Sequence, residues 1–321
     1  MPISRGLIMW LIVVLAVMSF VGLTVDEYEK HILILTGINI LLAIGFDIVF
    51  GVAGQVALAQ GAFFGIGAYT SAIMVMNGWP VWSGVVAGVV INIVLATAIA
   101  APALRVRGEY LLLLSLGFAI VVYEVLLNWV SVTGGPMGIS GIPSLGTFQP
   151  FGYEINFSRK TPNLWMVICA VMVGIGIAAI LRNSYFGRTF RAVRDDPEAA
   201  AATGINVGMT LLLAFCISAV YASFSGSLYA HYLRILDPAS FSAVLAIEIL
   251  IMCVVGGRDS LLGPVIGAFL VVGLPELFRP LAEYRLVLFG ACIVAILIFL
   301  PGGLASLLNR QIWAKWRGRG A

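Results

Sequence analysis

Lysine is nearly missing from this chain: Lys30, Lys160 and Lys315 are the only three in 321 residues. None of them closes a Gly-x-x-x-x-Gly-Lys-[Ser/Thr] phosphate loop, so the chain does not hold ATP by that device. Charge of either sign is scarce. The 18 basic and 15 acidic residues are 10% of the chain, against about 25% in soluble domains. A net charge of +3 is too small to attract a polyanion, which excludes a nucleic-acid-binding domain. Histidine occurs twice, at His31 and His231, and neither has a Cys or carboxylate at ligand spacing. The four cysteines, Cys169, Cys216, Cys253 and Cys292, each sit in an apolar run and form no Cys-x-x-Cys pair. They read as small buried hydrophobes rather than disulfides or metal ligands. No nucleophile–base pair and no metal centre can be proposed from spacing, so a membrane enzyme is unsupported.

Apolar residues are abundant instead, at 61% of the chain, and the mean hydropathy is +1.06. A soluble globule of this length cannot hide so many apolar side chains under so few charges. A bilayer solvates them. Crossing its hydrocarbon layer takes about 20 apolar residues as a helix, and the runs here are continuous rather than alternating, which excludes a barrel. Ten runs stand out, at about 7–24, 33–51, 57–77, 81–101, 110–130, 163–181, 209–233, 243–256, 261–278 and 286–304. The third and eighth are the weakest. Gly51, Gly54, Gly256 and Gly257 interrupt them and suit a broken or re-entrant helix. The expected fold is all-α: one polytopic membrane helical bundle over residues 1–321, with about 8–10 transmembrane helices.

The run 7–24 meets Asp26-Glu27 with no small-x-small cleavage site and is long for a signal peptide, so it reads as an uncleaved first span. With ten spans and the N-terminus inside, 12 of the 18 basic residues fall in the cytoplasm and 6 outside. The positive-inside rule therefore places both termini in the cytoplasm. Trp79, Trp82, Trp129, Trp165, Trp313 and Trp316 fall near expected interfaces, as an aromatic belt requires. Two connections are long: an outer one at about 131–162, rich in Gly and Pro, and an inner one at about 182–208, which carries four arginines. An internal echo links Gly54-Gln-Val-Ala-Leu58, which precedes Gly61 and Gly65, with Gly257-Arg-Asp-Ser-Leu261, which precedes Gly263 and Gly267. Duplication is common in transporters, although glycine abundance alone also produces such echoes.

The inner connection is the most informative segment. Asp196 suits an N-cap and Pro197 the first helical position. Glu198 complements the dipole in the first turn, Ala199 to Ala202 propagate the helix, and Gly204 suits a left-handed stop. So short a helix is marginal alone in water. Either it packs on its own spans, or it presents a small knob to a partner's groove with Arg188, Arg191 and Arg194 at the rim. These residues alone do not choose between the two.

Asp47, Glu124, Glu248 and Glu276 lie within or near the spans. A charge at membrane depth costs about 2.5–3.5 kcal/mol on insertion scales, so these carboxyls face protein or water. Either they relay a proton or cation, or they are hydrogen-bonded in packing. Among uncharged polar residues, Asn39, Gln55, Gln60, Tyr69, Asn92, Asn128, Ser218 and Ser223 suit either a path lining or interhelical hydrogen bonds, the commoner role. The translocation-path candidates are Gln55, Gln60, Tyr69, Asn92, Glu124 and Glu248. A stand-alone secondary transporter is the rival reading, with Asp47 or Glu124 needed for coupling.

Several stretches carry a resemblance. Gly54-Gln-Val-Ala-Leu-Ala-Gln-Gly-Ala-Phe-Phe-Gly-Ile-Gly-Ala-Tyr-Thr70 resembles the signature of branched-chain amino acid ABC transporter permeases of the LivM type. Leu104-Arg-Val-Arg-Gly-Glu-Tyr110, Thr133-Gly-Gly-Pro-Met-Gly-Ile139, Gly204-Ile-Asn206, Ser227-Leu-Tyr-Ala-His231 and Phe299-Leu-Pro-Gly-Gly-Leu304 follow in the same order. The likeness runs over about residues 35–305. It implies a permease subunit in a bacterial inner membrane, working with a LivH-type permease, two ATPases of the LivG and LivF type and a periplasmic solute-binding protein. It also implies that ATP and Mg are bound by the ATPases, with no cofactor in this chain. By the same resemblance, Arg188, Arg191, Arg194, Asp195, Asp196, Pro197, Glu198, Ala199, Ala200 and Gly204 belong to a loop that engages an ATPase. Ala57 and Gln60 depart from the signature, and relatives carry urea, short amides and aromatic acids as well. The resemblance therefore specifies the machine more closely than the cargo.

Overall fold

The computed structural model describes residues 26–103, 110–145, 147–148, 155–157, 159–278, 284–300 and 302–308. The expected first span at 7–24 and the basic tail lie outside them. Within them the chain is a helical bundle, and five helices are long and apolar enough to cross a membrane: Glu27–Val52, Val81–Ala100, Leu111–Asn128, Lys160–Asn183 and Val207–Leu233. The all-α membrane bundle read from the runs is the observed architecture, and the chain is a multi-pass membrane protein.

The centre is α1 (Glu27–Asp47), which widens without a break into a π-helical turn, Ile48–Val52. Nearly every residue from 34 to 53 is buried, as expected of a helix that is apolar all round. Around it stand α2 (Gln60–Met76), α3 (Val81–Ala103), α4 (Tyr110–Asn128), α5 (Lys160–Asn183) and α8 (Val207–Leu233). The outer helices α3, α4 and α5 turn Val90, Val94, Leu113, Val121, Val173 and Ile180 outward. The exposed apolar faces of these spans suit hydrocarbon.

Helices α2, α3 and α8 approach through small residues. A Cβ added at Gly226 of α8 would lie 2.9 Å from the Ala68 backbone nitrogen, and one at Gly84 of α3 would lie 3.0 Å from Ser71 Cα. Lipid gives helices no hydrophobic reason to associate, so close backbone approach through small residues supplies the packing energy.

The third, ninth and tenth expected spans are shorter than drawn, and the eighth keeps its bounds. The third begins only at Gln60, because residues 53–59 are not helical and Gly54 takes φ 75°. The eighth and ninth are α9 (Ala243–Gly256) and α10 (Gly263–Leu277). At 14 and 15 residues they are roughly 21 and 22 Å long, less than the hydrocarbon thickness of about 30 Å. They pack on each other and on α1 as a hairpin of short helices. Helix α11 (Arg285–Phe299) follows.

Two segments close the ends. At one, residues 130–143 form a strap: Thr133 Oγ1 donates to Leu126 O at 2.7 Å, and Ile139 and Ser140 pair with Leu236 and Ile235 as a two-residue antiparallel ladder. His231, at the end of α8, bridges Ser71 Oγ (2.9 Å) and Pro143 O (3.0 Å) and so fastens the strap to α2. At the other end α5 turns at Ser184 into the amphipathic α6 (Tyr185–Asp195) and then α7 (Pro197–Ala202).

Candidate functional site: a charged joint beneath the protruding loop

The end that carries α6 and α7 holds the densest charge in the described residues. Its base is Asp47, fully buried in the last turn of α1, where it forms an ion pair with Arg182 near the end of α5. Arg182 also approaches Asp259 Oδ1 at 3.9 Å. Asp259 sits in the turn between α9 and α10 with a left-handed backbone, φ 53°, a conformation that Asp tolerates better than most residues.

Arg194, in the last turn of α6, completes the cluster. Its Nη1 donates to Asp259 Oδ2 at 2.7 Å and to Gly51 O, in the π-helical turn, at 2.8 Å. Its Nε donates to Asp195 Oδ1 at 3.1 Å. Burial pulls the Arg194 pKa down, but the bonds to Asp259 and Asp195 outweigh it and hold the group above its ordinary value. Arg194 therefore stays charged. Arg191 Nη2 donates to Arg182 O at 2.7 Å, and the Arg258 guanidinium lies 4.3 Å over the Phe50 ring. Four elements from three separate stretches of sequence thus meet at one point: the π-helical turn of α1, the end of α5, the end of α6 and the α9–α10 turn.

Glycine makes the meeting possible. A Cβ at Gly51 would lie 2.7 Å from the Asp259 backbone nitrogen and would collide with Asp47 Oδ1. A Cβ at Gly54 would run into the Arg194 side-chain stem. The two turns of the internal echo, led by Gly54 and Gly257, are the two turns that flank this joint.

Above it, α7 has the caps expected of it. Asp196 accepts from the backbone N–H groups of Glu198 (2.9 Å) and Ala199 (3.0 Å), Pro197 opens the helix, and Gly204 takes φ 87° after its end. Ala199, Ala201 and Ala202 are exposed, whereas Ala200 faces inward and is buried. Of the basic residues expected at the rim, Arg188 is exposed and bonds to Asn183 O (3.2 Å), while Arg191 and Arg194 are turned onto this chain.

The path candidates are not brought together. Gln60 is buried, donates to Leu42 O (3.1 Å) and accepts from Ser218 Oγ (2.7 Å). Asn92 is buried and donates to Phe63 O at 2.9 Å. Tyr69 is buried, with its ring centroid 5.7 Å from that of Phe241. Gln55 is half-buried beside Gly54, and Glu124 and Glu248 are exposed on α4 and α9. Glu124 Oε2 accepts from Asn128 Nδ2 at 3.0 Å. Cys253 is buried and its Sγ donates to Ala43 O at 3.3 Å, but Cys169 is exposed on α5, contrary to the expectation of a buried thiol.

Sequence reasoning missed Arg182 and Asp259 as members of one cluster. The sequence marks Asp47 as a charge at depth and as a coupling residue in the rival reading, not as an ion-pair partner. The usable signal was the pair of Gly-led turns, since a turn that must admit another backbone needs glycine.

A bundle of membrane-crossing helices with a buried charged joint at one end, beneath a protruding capped helix, is the build of a transport permease rather than of a soluble catalyst. The comparisons name its family. Residues 30–297 match the family described as branched-chain amino acid transport system / permease component, and the chain belongs to that family. It is 30% identical to the high-affinity branched-chain amino acid transport system permease protein LivM of Salmonella typhimurium strain LT2, across 91% of this chain and 73% of that protein. The LivM protein of Escherichia coli strain K12 is 31% identical, across 88% and 71%. The LivH permease of the same strain is 30% identical, across 82% and 90%. These relatives are transport permease subunits. No solved structure matches the chain.

Proposed function

We propose that this chain is the LivM-type permease subunit of a bacterial inner-membrane ABC importer that carries branched-chain or related hydrophobic amino acids into the cytoplasm. It performs no reaction itself. Two ATPase subunits of the LivG and LivF type bind ATP and Mg, a LivH-type permease completes the membrane pore, and a periplasmic solute-binding protein delivers substrate. The names of the relatives support the cargo and the membership of a permease in a larger transport system.

The observation that carries the reading is α7. A six-residue helix is marginal by itself, yet this one is capped at both ends and held from below by Ala200. Its outward surface is small and even: Ala199, Ala201 and Ala202. Such a knob suits a groove on an ATPase subunit, where small side chains allow close approach. Arginines in the 182–194 stretch place this end in the cytoplasm by the positive-inside rule. The strap 130–143 then faces the periplasm. Glu124 and Glu248 lie near that outer end, on α4 and α9, which touch. Carboxylates there do not face lipid cheaply, so this face meets the second permease and borders the entrance to the path.

The test changes exposed residues only. Glu198→Arg with Ala201→Arg gives a chain that inserts normally but no longer retains its ATPases on affinity purification. Buried Ala200 is left untouched, so the outcome reads docking rather than folding. Retention of both ATPases, with normal leucine uptake, would remove the assignment.

A further inference from the structure

We infer that Arg194 and Asp259 are positioning residues for coupling: their ion pair makes α6 and α7, the π-helical turn of α1 and the α9–α10 hairpin move as one piece. This rests on the reading of α7 as the ATPase-docking helix.

Arg194 is two residues before the break at Asp196 that starts α7, so it marks the base of the protruding loop. Instead of pointing outward it binds two separate elements with one nitrogen, Gly51 O at 2.8 Å and Asp259 Oδ2 at 2.7 Å. Neither of those elements is continuous with α6. Gly51 belongs to the stretch where α1 departs from regular helix, and such π-helical turns mark functional sites in many proteins. Asp259 lies in the turn of a hairpin of short helices, and its φ of 53° is the kind of backbone that the surroundings must hold in place.

Arg182 supplies the fixed side of the joint. It is tied to Asp47 from the end of α5 and reaches Asp259 at 3.9 Å. Asp259 therefore stands between a stationary cation on a long span and a cation on the loop. Gly51 and Gly54 carry no side chain to keep these parts apart. A push on α7 that displaces α6 must either break the Arg194 bonds or carry the α1 turn and the hairpin along. Charge-assisted hydrogen bonds at these lengths are about twice as strong as neutral ones, so the second outcome is the favoured one. Coupling then needs a physical element that the two sites bias together, and the joint is that element.

The test uses the whole importer, purified through this chain and placed in vesicles with leucine as the probe. Arg194→Gln and Asp259→Asn should keep the ATPases bound while the number of leucines imported per ATP hydrolysed falls about ten-fold. Arg194→Lys, which keeps the charge and the stem, should recover most of that ratio. A purely structural role would change the yield of complex, not this ratio. Amide exchange provides a readout that needs no cargo. In the wild type, a non-hydrolysable ATP analogue should change protection at 196–204, 48–55 and 257–262 together. In Arg194→Gln only 196–204 should respond.

A wild-type ratio in both charge-neutral variants would overturn the joint. So would loss of the ATPases from them, or the absence of a nucleotide response at 257–262 in the wild type. A wild-type complex that shows the linked exchange response but imports no leucine would leave the joint standing and overturn the cargo assigned above.

Discussion

Replacing Arg182 by alanine should lower the stability of the purified protein by about 3–5 kcal/mol, the usual result of removing one member of a buried ion pair. Asp47 has no exposure at all, so without the Arg182 guanidinium its charge stays in the bundle with its close partner gone. Arg258 is engaged over Phe50 rather than bonded to Asp47. The double variant Asp47→Leu with Arg182→Met should recover most of the loss, because an apolar pair of similar volume often replaces a buried ion pair at little cost. Survival of the monodisperse peak after heating in detergent measures both. Equal thermal survival of the wild type and Arg182→Ala would show that the pair contributes little. Failure of the double variant to recover would show that Arg182 acts through Asp259 instead of Asp47.

The second large effect is expected where α2 and α8 cross. Gly226→Ala should destabilise the bundle by about 1–3 kcal/mol or more, as overpacking does. The added methyl would press on Phe64 and Ala68 main-chain atoms, with the Ala68 nitrogen only 2.9 Å away. Backbone does not swing aside as the end of a side chain does. Gly176 on α5 is the control, because a Cβ there meets nothing within 4 Å. Gly176→Ala should be neutral or gain about 0.5–1 kcal/mol, since alanine orders a helix at a smaller entropic cost than glycine. The same heating assay separates the two. Similar losses in both would mean that the small-residue crossing is looser than its geometry indicates.

Much was legible in the linear chain. Its scarcity of charge and its long apolar runs required lipid as solvent, and lipid leaves backbone no choice but helix here. The breaks at Gly54 and Gly257 were visible as glycine-led turns. The start and stop of α7 were readable at Asp196, Pro197 and Gly204, because capping depends on residues within four positions of one another. The stretches quoted from residues 54–70, 104–110, 133–139, 204–206, 227–231 and 299–304 carried the family likeness.

Other features waited for the folded chain. Ala199 and Ala200 are neighbours of one type, and only the packing of α7 on α6 turns one outward and buries the other. Arg188 and Arg194 look alike in sequence, yet one is exposed and the other binds Gly51 and Asp259. Gln60 and Asn92 read as path candidates and were found bonded to neighbouring helices. The chain by itself determined solvent, helix type and local caps, because those follow from short-range chemistry and from the bilayer. Which of positions 47, 51, 182, 194 and 259 meet was decided by tertiary structure alone, since pairings across 65 to 143 residues depend on how glycine-lined helices pack and not on spacing along the chain.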